Sequence, residues 1–230
     1  MVKSHLKRIA APRTWDIDRK TTKFIARPKP GQHTLQLGMP LAVLLKEILK
    51  KMKTNKELKI VVRNQEVLVD GKRRYDIKFM IGLMDVLAIP KLKENYRMLI
   101  NTKNRLYLRQ IDEKEASFKP CKLVNKIMLG KDKMQLHLSD GRNILVKKND
   151  YKTGDTLVLE LPSQKILDHI KLEKGCTILL YKGKHVGLIG QVDEVKGSTI
   201  HFTANKGKYE TNKSYAFVIG KEKPLIKIKE

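Results

Sequence analysis

The hydrophobic pattern is irregular up to Pro40 and then becomes periodic. Leu41, Leu44, Leu45, Ile48, Leu49 and Met52 recur at spacings of three and four, which lays one apolar stripe along a helix. Lys46, Lys50, Lys51 and Lys53 fill the remaining positions, and Pro40 suits the helix entry. Thr54-Asn55-Lys56-Glu57 has the T-x-x-E form, in which the Thr and Glu side chains satisfy each other's backbone amides. It predicts a second helix with Leu58, Val61 and Val62 on its apolar face. After Arg63 and Asn64 the period changes to two. Val67 and Val69 predict a strand, Asp70-Gly71 a tight hairpin turn, and Lys72-Arg73-Arg74 a basic cluster directly behind it. Leu83 to Ile89 reads as a closing strand before Pro90. Two helices on a short turn also occur in DNA-reading proteins, but the second helix here is short and apolar and a hairpin follows at once.

From residue 96 the pattern predicts strands. Candidates are Tyr96 to Asn101, Arg105 to Ile111, Met134 to Leu138, Ile144 to Val146, Thr156 to Leu161 and Ile166 to Leu172. Ser139-Asp140-Gly141-Arg142 supplies a second hairpin turn. This region reads as a small β-barrel or curled sheet. Between Gly175 and Val192 a strand runs into a loop with glycines at 183, 187 and 190, and a second strand leaves it. Glycine there allows positive φ and close approach of another backbone. Lys182, Lys184 and His185 place charge and donors at the tip, and the backbone N–H groups of Gly183 and Gly187 can lie on a phosphodiester. The loop lacks G-x-x-x-x-G-K-[ST] and enters a strand where a nucleotide-phosphate loop would enter a helix.

Residues 1–40 read as a basic extension. Lys3, His5, Lys7, Arg8 and Arg13 open a segment whose only acids are Asp16 and Asp18, and Pro12, Pro28, Pro30 and Gly31 interrupt any long element. Such a segment buries little by itself and is expected to order only against RNA or a neighbour. Trp15 either stacks on a base or plugs the domain that follows.

Charge changes the picture from fold to partner. The chain has 230 residues, 49 Lys plus Arg against 24 Asp plus Glu, and a net charge of +25. Self-repulsion on that scale opposes compaction unless a polyanion relieves it, and nucleic acid does so by releasing counterions. Basic residues recur from Lys3 to Lys229, which disfavours a membrane surface. No apolar run approaches the ~18 residues of a membrane span. No apolar stretch follows the N-terminal charges, so no secretory signal is expected. The two cysteines, Cys121 and Cys176, form no CxxC pair, and the six histidines show no metal-ligand spacing. No nucleophile has an evident base beside it. The expectation is a binder with no catalytic residues, metal, cofactor or small-molecule substrate.

Several segments resemble one family, the archaeal and eukaryotic small-subunit ribosomal protein four, or S-four-e, family. His5 to Trp15 is similar to its opening signature. Val69-Asp70-Gly71-Lys72-Arg73-Arg74 and Gly82-Leu83-Met84-Asp85-Val86 resemble its S-four-type RNA-binding module. Gly183 to Gly190 resembles its KOW motif, and Phe217 to Lys221 its closing segment. The resemblance implies an α+β, mostly β, fold: a helix-led S-four-type RNA-binding module followed by a small β domain and a KOW (SH3-like) barrel. The implied division is an extension over 1–40, the S-four-type domain over 41–95, a central β domain over 96–171, the KOW domain over 172–207 and a closing segment over 208–230. The end at Glu230, without a longer basic tail, is similar to archaeal members. The implied partners are small-subunit rRNA and neighbouring small-subunit proteins, in the cytoplasm and in the ribosome. The implied surfaces are Lys46, Lys50, Lys53, Arg63, Lys72, Arg73 and Arg74 on the helices and hairpin; Lys182, Gly183, Lys184, His185 and Gly187 on the loop; and Lys3, His5, Lys7, Arg8 and Arg13 in the extension. A KOW-bearing factor acting transiently on the transcription or translation machinery is the alternative.

Overall fold

The computed structural model describes residues 5–64, 67–129, 133–147, 150–204 and 207–228. The chain packs as two units, Met1–Leu99 with Asn104–Ser117, and Ile100–Lys103 with Phe118–Glu230.

In the first unit, β1 (Leu6–Lys7) pairs antiparallel with β2 (Phe24–Ile25). β3 (Gly38–Pro40) leads into α1 (Leu41–Val43), which widens into a π-helical stretch over Leu44–Ile48. The Leu49 N–H donates to the Leu44 carbonyl at 2.9 Å, five residues back. Leu41, Leu44 and Leu45 are fully buried, so the predicted stripe forms. It stops short of Met52, because Lys50 takes a left-handed conformation (φ 51°) that ends the helix. α2 (Asn55–Arg63) begins with the predicted reciprocal cap. The Glu57 N–H donates to Thr54 Oγ1 at 3.2 Å and the Thr54 N–H to Glu57 Oε2 at 3.4 Å.

β4 (Leu68–Val69) and β5 (Lys72–Arg73) form the hairpin, with Asp70 and Gly71 both at positive φ as a primed turn requires. The buried Asp70 carboxylate accepts the Val86 N–H at 2.9 Å and so ties the turn to the next strand. β6 (Met80–Gly82) pairs back on β3. β7 (Val86–Ile89), β8 (Glu94–Ile100) and β9 (Leu106–Ile111) complete a five-stranded sheet ordered β5-β4-β7-β8-β9. The sheet begun at Leu68 therefore runs through Ile111, past the division anticipated at residue 96, because β8 pairs with β7.

Residues 5–40 depart from the expected loose extension in being packed, while Trp15 takes the second of its two anticipated roles and plugs the domain. Trp15 is 1% exposed and its Nε1–H donates to the Gly38 carbonyl at 3.0 Å. The Leu106 N–H donates to the Thr14 carbonyl at 2.7 Å. Arg8, 5% exposed, donates to Thr22 Oγ1 at 3.0 Å, the Asp18 carbonyl at 2.8 Å and Glu47 Oε1 at 2.8 Å. Residues 5–40 are folded onto their own unit. A buried aromatic and a saturated guanidinium supply the anchorage that periodicity lacks.

In the second unit, β10 (Phe118–Met128), β11 (Met134–Leu138), β12 (Asn143–Val146), β13 (Thr156–Glu160) and β14 (Ile166–Ile170) form a sheet ordered β12-β11-β10-β13-β14. The long central strand β10 was not foreseen. Lys119 and Lys122 interrupt its apolar pattern, yet both are buried, Lys119 against Asp140 at 3.0 Å. β15 (Thr177–Leu180), β16 (Ile189–Lys196), β17 (Thr199–Ala204), β18 (Gly207–Asn212) and β19 (Ala216–Gly220) form the last sheet, ordered β18-β17-β16-β15-β19. It extends to Gly220, past the division anticipated at 207, because β19 pairs with β15. Ile178, Val192, Phe202 and Val218 share one core with Val158 and Ile170 of the preceding sheet. The protein is mostly β with a few short helices, as the sequence implied.

Candidate nucleic-acid interface

The first unit holds a cleft of about 830 Å³ between the Thr21–Ala26 segment and the helices. Lys46, Lys50, Lys53 and Lys78 line it. Its one acid, Glu47, is already paired with Arg8 at 2.8 Å, so the net charge of the lining is positive. The Lys46 ammonium rests on Asn55 Oδ1 at 3.2 Å, and Lys50 and Lys53 are exposed. The fold thus brings together the three predicted lysines. It adds Lys78, which no periodicity marks, since it follows the hairpin in a turn. Burial alone would raise the pKa of neighbouring Asp76, but bonds from Lys29 and the Lys78 N–H hold it below the ordinary carboxylate value.

The hairpin cations behave differently. Lys72 is exposed. The Arg73 guanidinium lies 4.2 Å from the Tyr75 ring centroid and its Nη2–H donates to the Arg63 carbonyl at the end of α2. Arg74 lies 4.2 Å from the Phe79 ring. Arg63 itself is exposed. In the extension, Lys7 and Arg13 are exposed and the exposed His5 ring meets Phe24 edge-on at 5.3 Å. Arg8 is turned inward, as described, and presents no free guanidinium. Lys3 lies outside the described residues.

In the second unit the loop between β15 and β16 has the predicted positive φ at Gly183 (86°) and Gly187 (78°). The reason is internal. A side chain at Gly187 would collide with the backbone of Asn101 and Thr102, and one at Gly183 would stand 2.9 Å from the Tyr215 ring. His185 folds back onto Tyr209, with ring centroids 4.8 Å apart. Only Lys182, Gly183 and Lys184 of the five predicted residues are exposed. Behind the tip, Lys122 Nζ donates to the carbonyls of Lys213, Ser214 and Ala216 at 3.1, 2.8 and 2.6 Å. Burial first, then the charges of Lys182 and Lys213, push its pKa down to about 8. Burial also raises that of Tyr181, whose hydroxyl donates to Ser214. Sequence pattern gave no sign of Lys122 or Lys213.

Among the described residues, no three His, Cys, Asp or Glu side chains are grouped to hold a metal ion. Among the same residues, no helix is long and apolar enough to cross a membrane.

A lysine-lined cleft, a basic hairpin and a five-stranded sheet with a basic loop tip define a protein that presents cations from several surfaces. A model described as ribosomal family S4e matches residues 92–166, and one described as RS4NT (NUC023) domain matches residues 2–36. Relatives named small ribosomal subunit protein eS4 include those of Methanocella arvoryzae, 41% identical over 98% of both chains, and Methanocaldococcus jannaschii, 39% identical over 98% of both. The crystal structure of the 30S ribosomal protein S4e from Thermoplasma acidophilum is similar at 29% identity and a TM-score of 0.71, covering 80% of this chain and 95% of that one. The chain belongs to the S4e family of ribosomal proteins.

Proposed function

We propose that this chain is a structural, non-catalytic component of the small ribosomal subunit that binds and stabilises folded small-subunit rRNA through phosphate and shape recognition. It works in the cytoplasm, within the ribosome, beside other small-subunit proteins. The observation that carries the reading is the cleft. Lys46, Lys50, Lys53 and Lys78 line it while its acid is neutralised from within by Arg8. That arrangement leaves cations in want of an external anion, and their ammonium groups fix position without reading base edges. Lys7, Arg13, Lys72, Lys182 and Lys184 extend the contact set as exposed cations. Arg8, His185 and Gly187 serve as the scaffold that positions it.

Neutralising about six to ten phosphates makes affinity fall by roughly 10³–10⁵-fold between 50 and 200 mM salt. Filter binding to a 16S-type rRNA transcript measures this. A nearly flat salt dependence sinks the reading.

A further inference from the structure

Tyr75 closes the basic hairpin and is 69% exposed. Its ring is held without being buried. The Arg73 guanidinium lies 4.2 Å from the ring centroid, covering one face, and the same guanidinium is tied through Nη2 to the Arg63 carbonyl at the C-terminal end of α2. That carbonyl is one of the acceptors a helix end leaves open, so the cation also suits the local dipole. Arg73 Nε is buried with no hydrogen-bond partner among the described residues, so the ring contact and the helix-end carbonyl are the interactions seen to hold the guanidinium. Most of the Tyr75 surface remains open to water. Lys72 and Lys78, both exposed, flank the ring in sequence.

We infer that Tyr75, propped by Arg73, is a stacking site for one unpaired RNA base. A guanidinium and an aromatic ring already layered together accept a third flat group, and every base has a π-face to offer. The ring's orientation is fixed before the RNA arrives, so little order has to be imposed on binding. A base within a duplex has both faces occupied, and the platform therefore selects bulged, looped or terminal nucleotides. Lys72 and Lys78 supply cations for the phosphates on either side. Arg73 acts here as a positioning residue and no longer as a phosphate contact. The inference rests on the RNA-binding reading above and adds what the cleft does not provide, a preference for unpaired nucleotides.

The test uses the full chain with an oligoadenylate strand and a blunt RNA duplex of equal length. Tyr75→Leu is expected to weaken single-strand binding by about 5- to 100-fold, as loss of one stacked base does, and to leave duplex binding unchanged. Tyr75→Phe keeps the platform and the affinity. Arg73→Lys keeps the charge and hence the salt dependence, while the preference for the single strand falls. If Tyr75→Leu binds the single strand as wild type does, while joint replacement of Lys46, Lys50 and Lys53 by Ala weakens it, the stacking site is wrong and the RNA reading stands. If neither variant binds more weakly, both are wrong. Tyr75 is exposed, so its variants are expected to fold, and melting temperatures matching wild type verify this for them and for Arg73→Lys.

Discussion

The lysine cleft and the glycine loop look alike as sequence, each a group of lysines beside turn-forming residues, but the fold uses them in different ways. Around the cleft, the backbone is fixed by other means: a capping box at Thr54, a left-handed Lys50 and buried leucines. The cations are then free to project. In the loop, the conspicuous residues are the fastening itself. Gly187 lies against the Asn101–Thr102 backbone, Gly183 against Tyr215, and His185 against Tyr209. The difference separates two meanings of a glycine-spaced basic motif. The glycines shape the loop, and Lys182 and Lys184 are the cations it leaves exposed for the proposed RNA contact.

The largest effect that would break this comparison is at Gly187. Its φ of 78° and the backbone packed against it leave no room for a side chain. Gly187→Ala is expected to cost about 2–5 kcal/mol, combining left-handed strain with overpacking. Chemical denaturation measures it. A loss below about 0.5 kcal/mol, with weakened rRNA binding, would return Gly187 to the contact surface.

Lys122 sharpens the comparison from behind the loop. Its pKa is depressed from 10.5 to about 8 by burial and by Lys182 and Lys213. A lysine with a depressed folded-state pKa opposes folding while it is charged in both states. Between pH 8 and 10.5 the unfolded chain binds more protons than the folded one, so stability rises with pH across that window. The full rise from this group is about 3 kcal/mol. It is expected in wild type and absent from Lys122→Met, and the difference between their denaturation curves across that pH range isolates it from other lysines. Curves that run parallel would show that the ammonium is not held as described.

What could be read in advance follows the same division. The capping box, the Asp70-Gly71 turn and the first half of the Leu41–Met52 stripe are local, set by residues within a few positions of each other, and these formed, while the stripe's second half did not stay helical. β10 was hidden because Lys119 and Lys122 sit in the core, where Asp140 and a set of backbone carbonyls, distant in sequence, make burial of a cation tolerable. The packing of the early segment is hidden for the same reason, although the plug role of Trp15 is among the expectations. Trp15 finds Gly38, and Arg8 finds Glu47, through long-range contacts that no periodicity announces. Of the candidate interface, the exposed lysines were legible as clusters. Lys78 was not, because its membership of the cleft depends on tertiary packing alone.

The smallest effect on stability, and the most direct test of the cleft, comes from replacing Lys46, Lys50 and Lys53 together by Ala. None carries the core; Lys46 makes an exposed side-chain hydrogen bond to Asn55 at 3.2 Å, and the Lys53 bond to Glu57 at 3.1 Å is made by its backbone N–H, which alanine keeps. Stability is expected to stay within about 0.5 kcal/mol of wild type. Binding is where the change appears. Each lost phosphate contact removes roughly one counterion from the release, so the slope of log affinity against log salt falls by about two to three. The loss is uniform across RNA sequences because ammonium groups on phosphates read none. An unchanged slope would mean that the cleft is an ordinary solvated face. The hairpin and loop tip would then carry the contact, and the distinction drawn between projecting lysines and fastening glycines would hold for the loop alone.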